Sequence, residues 1–200
     1  MVAIGQRSRR DFLKAMSAMS LVGVALPRAS MAWAPENRLS FIIDRFERRL
    51  YVRSGQRTLR DYDVAVGKPD HPTPTGSWKI SRVDINPDWT PPDSPWSADR
   101  EYKPPGHPRN PMGRARLVFD PPYSIHGTDV LDSLGRAASH GSVRVANPVA
   151  LELAELLLFE DGQWQGERWF QAMVDRPDEM FRFMLDATVP IDIVDRLAER

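Results

Sequence analysis

Between residues 39 and 85, apolar positions recur every second residue in short runs. Leu39, Phe41 and Ile43 form one run and Leu50 with Val52 another. Tyr62, Val64 and Val66 form a third, and Trp78 with Ile80 a fourth. Such alternation gives a pleated strand one apolar face and one solvated face, so it predicts strands. Turn formers separate the runs at Ser54-Gly55, Gly67-Lys68-Pro69 and Thr75-Gly76. Further short strands are predicted over 117–119, 123–125 and 143–145. The period then changes. Asn147-Pro148 reads as a helix start, with Asn as N-cap and Pro at the first helical position. Val149, Leu153, Leu156 and Leu157 fall on one face of that helix, and Gly162 follows its end. Two short helices are predicted over 167–174 and 178–185. A closing strand spans 189–193, where Pro190 implies a sheet edge. The fold class is mainly β with a few helices.

Residues 84–115 interrupt this pattern with Asn86-Pro87, Pro91-Pro92, Pro104-Pro105-Gly106 and Asn110-Pro111. A loop of this length inside a domain is functional or disordered. Trp89, Trp96 and Tyr102 argue against disorder, because aromatic rings are costly to leave in water. Two readings stay open for the insert: a flap facing a substrate, or a loop packed on the sheet.

The N-terminus changes the picture in another way. Ser8-Arg9-Arg10-Asp11-Phe12-Leu13-Lys14 is followed by twelve residues, Ala15 to Leu26, of apolar character, then by Ala32-Trp33-Ala34. Arginine pair, short apolar run and small-residue end, in that order, predict a twin-arginine export signal over 1–34. The expected location is then periplasmic, and the expected partner the twin-arginine export machinery. Residues 35–200 are left as a single domain with 22 basic and 26 acidic residues, a net charge of −4. That balance gives no support for nucleic-acid binding, and no stable membrane span is expected in the exported part. The chain of 200 residues has no cysteine, which excludes disulfides, thiolate-held zinc and a thiol nucleophile.

Candidate chemistry sits in two stretches, Ile125-His126-Gly127-Thr128 and Ser139-His140-Gly141-Ser142-Val143-Arg144-Val145. A hydroxyl, an imidazole, a flexible backbone and a fixed cation are the components of an acyl-transfer site. His126 ends one predicted strand and Ser142 begins another. Adjacent strands lie about 4.8 Å apart, within side-chain reach. Arg144 shares a face with Ser142 and can take a carboxylate bidentately. Each residue also has a plainer role: a structural histidine, a surface ion pair, a turn serine. Two histidines without a matched third ligand make a weak metal case, and no cofactor is expected.

The two stretches and their spacing are similar to the signature of the L,D-transpeptidase (YkuD-type) catalytic domain family. Val64 to Gly76 and the C-terminal elements extend the likeness over roughly residues 38–195. The resemblance implies a β-sandwich of short strands with a C-terminal helical segment. It implies His126 as the activating base, oriented by the carbonyl of Gly127, and an oxyanion hole from Gly141 and Ser142. Ser139, His140 and Arg144 would line the substrate site. The implied reaction attacks the diaminopimelate–D-alanine bond of a peptidoglycan stem peptide and passes the acyl group to an amine or water. One position departs from the pattern: Ser142 stands where the family has its nucleophilic cysteine.

A serine needs general-base removal of its proton during attack, whereas a thiol can be held as thiolate. Ser–His sites use a buried carboxylate to stabilise the imidazolium. Asp129 and Asp132 are close in sequence, but their composition favours a solvated loop. His71 reads as an exposed loop histidine. Three functions remain open: a serine acyltransferase or hydrolase of cell-wall peptides, an inactive peptidoglycan-binding relative, and a structural envelope interaction protein.

Overall fold

The computed structural model describes residues 38–197. The predicted export signal over 1–34 lies outside the described residues. An eight-stranded sheet dominates. Its strands are β1 (Leu39–Asp44), β2 (Arg49–Ser54), β3 (Arg57–Asp63), β5 (Gly76–Ile85), β6 (Ala115–Asp120), β7 (Tyr123–Thr128), β9 (Val143–Ala146) and β10 (Phe181–Val194). Their order is β3-β2-β1-β10-β5-β6-β7-β9. A two-stranded parallel piece pairs β4 (Val66–Gly67) with β8 (Ala137–Ser139). The helices are α1 (Asn147–Glu160) and α2 (Glu167–Val174).

The apolar alternation forms the core as read. Phe41, Ile43, Leu50, Val52, Ile80, Leu117, Ile125, Val143 and Val145 are all buried. Helix α1 packs on β5, β6 and β7 through Leu153, Ala154 and Leu157. Each leucine so buried contributes roughly 1.5–3 kcal/mol. One face of β5, β6, β7 and β9 is therefore sealed by α1, and the opposite face is left to carry polar residues.

Three local expectations are corrected. Residues 178–185 are not a helix: from Phe181 the chain runs as β10, with Phe181 opposite Ile85 and Phe183 opposite Val83. Phe181, Phe183 and Leu185 alternate with Arg182, Met184 and Asp186, and the sheet selects that period. Pro190 is not at an edge, because β10 lies between β1 and β5. It is tolerated because pairing with β1 starts one residue later, at Ile191, and a register shift precedes it between Met184 and Val189. Asn147 is not the N-cap of α1. Ala146 holds that position, with Pro148 in the first turn, and the Asn147 carboxamide is used elsewhere.

Candidate active site

The site is a row of side chains across neighbouring strands. In β6, β7 and β9 the register places Arg116 opposite His126 and His126 opposite Arg144. The next row on the same face pairs Arg82 with Val118 and Val118 with Ser124. Ser142 continues that row, since the Ser124 N–H donates to Ser142 Oγ at 3.3 Å. Cavity lining comes from both rows. A cavity of about 430 Å³ takes in Ser142, His126, Ser139, His140 and Arg144.

His126 is 3% exposed. Its Nδ1 lies 2.9 Å from the Gly127 carbonyl oxygen, which can only accept, so Nδ1 carries the proton and Nε2 the lone pair. Burial pushes the imidazole down from 6.5 to about 4. The Gly127 and Pro111 backbone groups work against that shift, while the Arg144 and Arg116 charges add to it. The ring is neutral at pH 7, in the tautomer that leaves Nε2 able to accept a proton.

Glycine is required at both motif positions. A Cβ on Gly127 would lie 2.2 Å from Asn147 Oδ1. That oxygen accepts the Arg114 N–H at 2.8 Å, and Asn147 Nδ2 donates to Asp129 at 2.6 Å. Gly141 has φ +108°, and a Cβ there would meet the Tyr123 ring at 2.5 Å. The turn is tied internally: the Gly141 N–H donates to Ser139 Oγ at 3.1 Å, and that hydroxyl donates to the Ser142 carbonyl at 2.5 Å. Ser139 thus shapes the turn that carries Ser142 as well as lining the cavity. The Gly141 N–H is engaged by that hydroxyl.

His140 forms part of the wall. Trp96 stacks on its ring with centroids 4.1 Å apart at 13°, and His71 approaches at 5.0 Å. Burial, then Lys68, His71, Arg144 and Arg100, hold its imidazole below the ordinary value. His71 is therefore half-buried against His140 rather than an exposed loop residue. Arg144 is half-buried, and among the described residues its guanidinium has no carboxylate partner; burial lowers its pKa. Asp129 and Asp132 are exposed and absent from the cavity lining, so neither orients His126.

The insert supplies the facing wall through Trp89, Thr90, Pro91, Pro92, Trp96, Arg100, Pro111 and Met112. It is anchored as well as facing inward. Asn86 Nδ2 reaches the carbonyls of Met173, Arg176 and Glu179, and Asn110 Nδ2 those of Pro87 and Pro104. Residues 84–115 are thus packed on the domain, as the second reading has it, and also line the cavity. Local sequence did not reveal Asp84, Arg82, Arg116 or Trp96 as site residues. The signals available were a charged Arg82-Val83-Asp84 alternation inside an apolar strand and a tryptophan in the insert. Among the described residues, no group of three or more His, Asp or Glu is placed to hold a metal ion. No helix there is long and apolar enough to cross a membrane.

Comparison with known proteins places this geometry in a family. The L,D-transpeptidase catalytic domain (YkuD) profile matches residues 39–189, and the chain belongs to that family. A Fuscovulum blasticum protein assigned to the L,D-transpeptidases from ORF 5 of an ATP synthase subunits region is 31% identical over 118 residues. That match covers 58% of this chain and 62% of the relative. The Bacillus subtilis (strain 168) protein YkuD, assigned likewise, is 30% identical over 109 residues, covering 54% of each. The chain spans between half and two thirds of the length of these curated relatives. The crystal structure of a cysteine-to-serine mutant of Enterococcus faecium L,D-transpeptidase matches with a TM-score of 0.50 at 15% identity. It covers 78% of this chain and 50% of that one, and the likeness is one of fold.

Proposed function

We propose that this chain is a periplasmic, peptidoglycan-directed acyl transferase that attacks the diaminopimelate–D-alanine bond of stem peptides through Ser142. Export by the twin-arginine route through residues 1–34 belongs to the same proposal. The observation that carries it is the placement of Ser142 and a neutral, Gly127-anchored His126 on one cavity wall. Ser142 Oγ attacks the carbonyl while His126 Nε2 takes its proton. The same Nε2 returns the proton to the D-alanine nitrogen, which leaves as the amine. The acyl ester then passes to an incoming amine or to water. The oxyanion is assigned to the backbone at Gly141 and Ser142, with the Gly141 N–H having to exchange its Ser139 partner for substrate. Arg144, with no carboxylate of its own among the described residues, is assigned to a substrate carboxylate.

The same electrostatics favour a thiolate over a hydroxyl. Arg144 and Arg116 oppose a positive charge on His126, and no carboxylate lies behind the ring. An imidazolium formed during serine attack is therefore poorly stabilised, so turnover with Ser142 is slow. This supports a second reading, in which the chain binds stem peptides without turning them over. Intact-mass analysis after incubation with a carbapenem separates the two. A stable acyl adduct mapped to Ser142 supports the acyl transferase. Saturable stem-peptide binding with no adduct supports the binder. Neither adduct nor binding eliminates both and leaves a structural role in the envelope.

A further inference from the structure

The cavity has an unbalanced charge lining. Arg82, Arg100, Arg116 and Arg144 contribute to its wall, and no aspartate or glutamate does. The carboxylate that offsets part of this charge lies beneath. Asp84 is fully buried, takes Arg116 Nε and Nη2 at 3.0 and 2.8 Å on one oxygen, and Arg182 Nε at 2.9 Å on the other. Arg82 Nε approaches it to 3.3 Å without making a hydrogen bond. Among the described residues the terminal nitrogens of Arg82 have no hydrogen-bond partner, and its side chain is 26% exposed.

Position gives this cation a use. Arg82 stands in the same cross-strand row as Val118, Ser124 and Ser142, three strands from the nucleophile. Strand spacing puts the two backbones about 14 Å apart. Both residues line the same cavity.

We infer that Arg82 is a specificity-determining residue: it receives a carboxylate of the donor remote from the bond attacked, so that the cavity prefers stems that keep this carboxylate over stems amidated there. This rests on the stem-peptide reading above. In such a donor a γ-linked glutamate leaves its α-carboxylate free. Seven or eight bonds separate that group from the diaminopimelate carbonyl, roughly 9 Å when extended. That reach spans from Ser142 toward the Arg82 head group. A carboxylate there meets a partly desolvated guanidinium whose two terminal NH2 groups form one free edge, the geometry that favours bidentate pairing. An amide at the same place offers no charge and leaves the arginine unpaired.

The test is calorimetric titration of the purified protein with two tetrapeptides. One is L-Ala–γ-D-Glu–diaminopimelate–D-Ala, and the other carries an amide in place of the glutamate α-carboxylate. The expected result is about tenfold tighter binding of the free acid. Arg82→Gln should erase the preference and Arg82→Lys restore part of it. Arg182→Gln separates this from a structural effect, since Arg182 holds the same Asp84 but is not part of the cavity wall. It should keep the preference. Equal binding of both peptides by the unaltered protein overturns the inference and leaves the proposed function standing. Loss of the preference in Arg182→Gln as well as Arg82→Gln also overturns it. Binding of neither peptide by the unaltered protein defeats the stem-peptide reading and this inference together.

Discussion

Replacing Asp84 by Asn tests the electrostatic base of the site. The carboxylate is fully buried and accepts three hydrogen bonds from two arginines, with a third arginine within ion-pair distance. Asn has nearly the same shape, so no cavity is created. It carries no charge, and its amide end presents N–H groups to guanidinium donors. Arg116 is 16% exposed and feels little solvent screening, whereas Arg182 is 45% exposed and loses little by release to water. The loss is thus mainly that of a buried pair broken on one side, about 3–5 kcal/mol. In a domain of this size that lowers Tm by roughly 6–20 °C. Urea unfolding, followed through tryptophan fluorescence at constant m-value, measures it. Arg182→Gln should cost less than about 1 kcal/mol in the same assay. An Asp84→Asn loss no larger than that of Arg182→Gln would refute the reasoning, because the burial of the carboxylate would then carry no weight.

Two further predictions concern the histidine and its support. His126 titrates near 6.5 when unfolded and near 4 in the fold, so between those values the unfolded chain binds more protons. Its contribution is fully present above pH 6.5 and is lost as pH falls through about 4, a total of about 3 kcal/mol. The difference in urea stability between pH 7 and pH 4 should shrink by that amount in His126→Gln; an unchanged difference contradicts the burial of a neutral ring. Asn147→Ala removes the acceptor of the Arg114 N–H and the donor to Asp129. It should cost about 1–2 kcal/mol and accelerate hydrogen exchange at the Arg114 amide, whereas unchanged exchange there would mean that Asn147 does not pin the insert.

Period-two patterning made most of the sheet readable, because β1, β2, β5, β6, β7 and β9 each show it in two or three residues. Arg57–Leu59 escaped notice because the outer strand β3 has no fully buried residue to mark its period. β8 is three residues long, and its alternation is too short to register. The stretch 178–185 was misread because Phe181, Met184 and Leu185 also satisfy a helical spacing; only the partner strand β5 decides between the two. Asn147 shows the limit of local capping logic. Asn-Pro before an apolar helix is a sound cap signal, but the distant Arg114 N–H takes the side-chain oxygen instead. The motif residues His126, Ser139, His140, Ser142 and Arg144 were legible because they lie within twenty residues, and they do share one cavity, with Gly127 and Gly141 shaping the backbone behind it. The Asp84 cluster and the Trp96–His140 stack were not, since their partners are 32 to 98 residues apart in sequence and meet through sheet register and the folding-over of the insert.

The central claim is that a working acyl-transfer pocket surrounds Ser142, lacking only a better nucleophile. D-alanine release from the free-acid tetrapeptide, compared between the unaltered protein and Ser142→Cys, addresses it most directly. The cationic, Gly127-anchored pocket predicts release by Ser142→Cys that is orders of magnitude faster, and its loss when His126→Ala is added. A Ser142→Cys protein that binds the peptide yet frees no D-alanine would contradict the account.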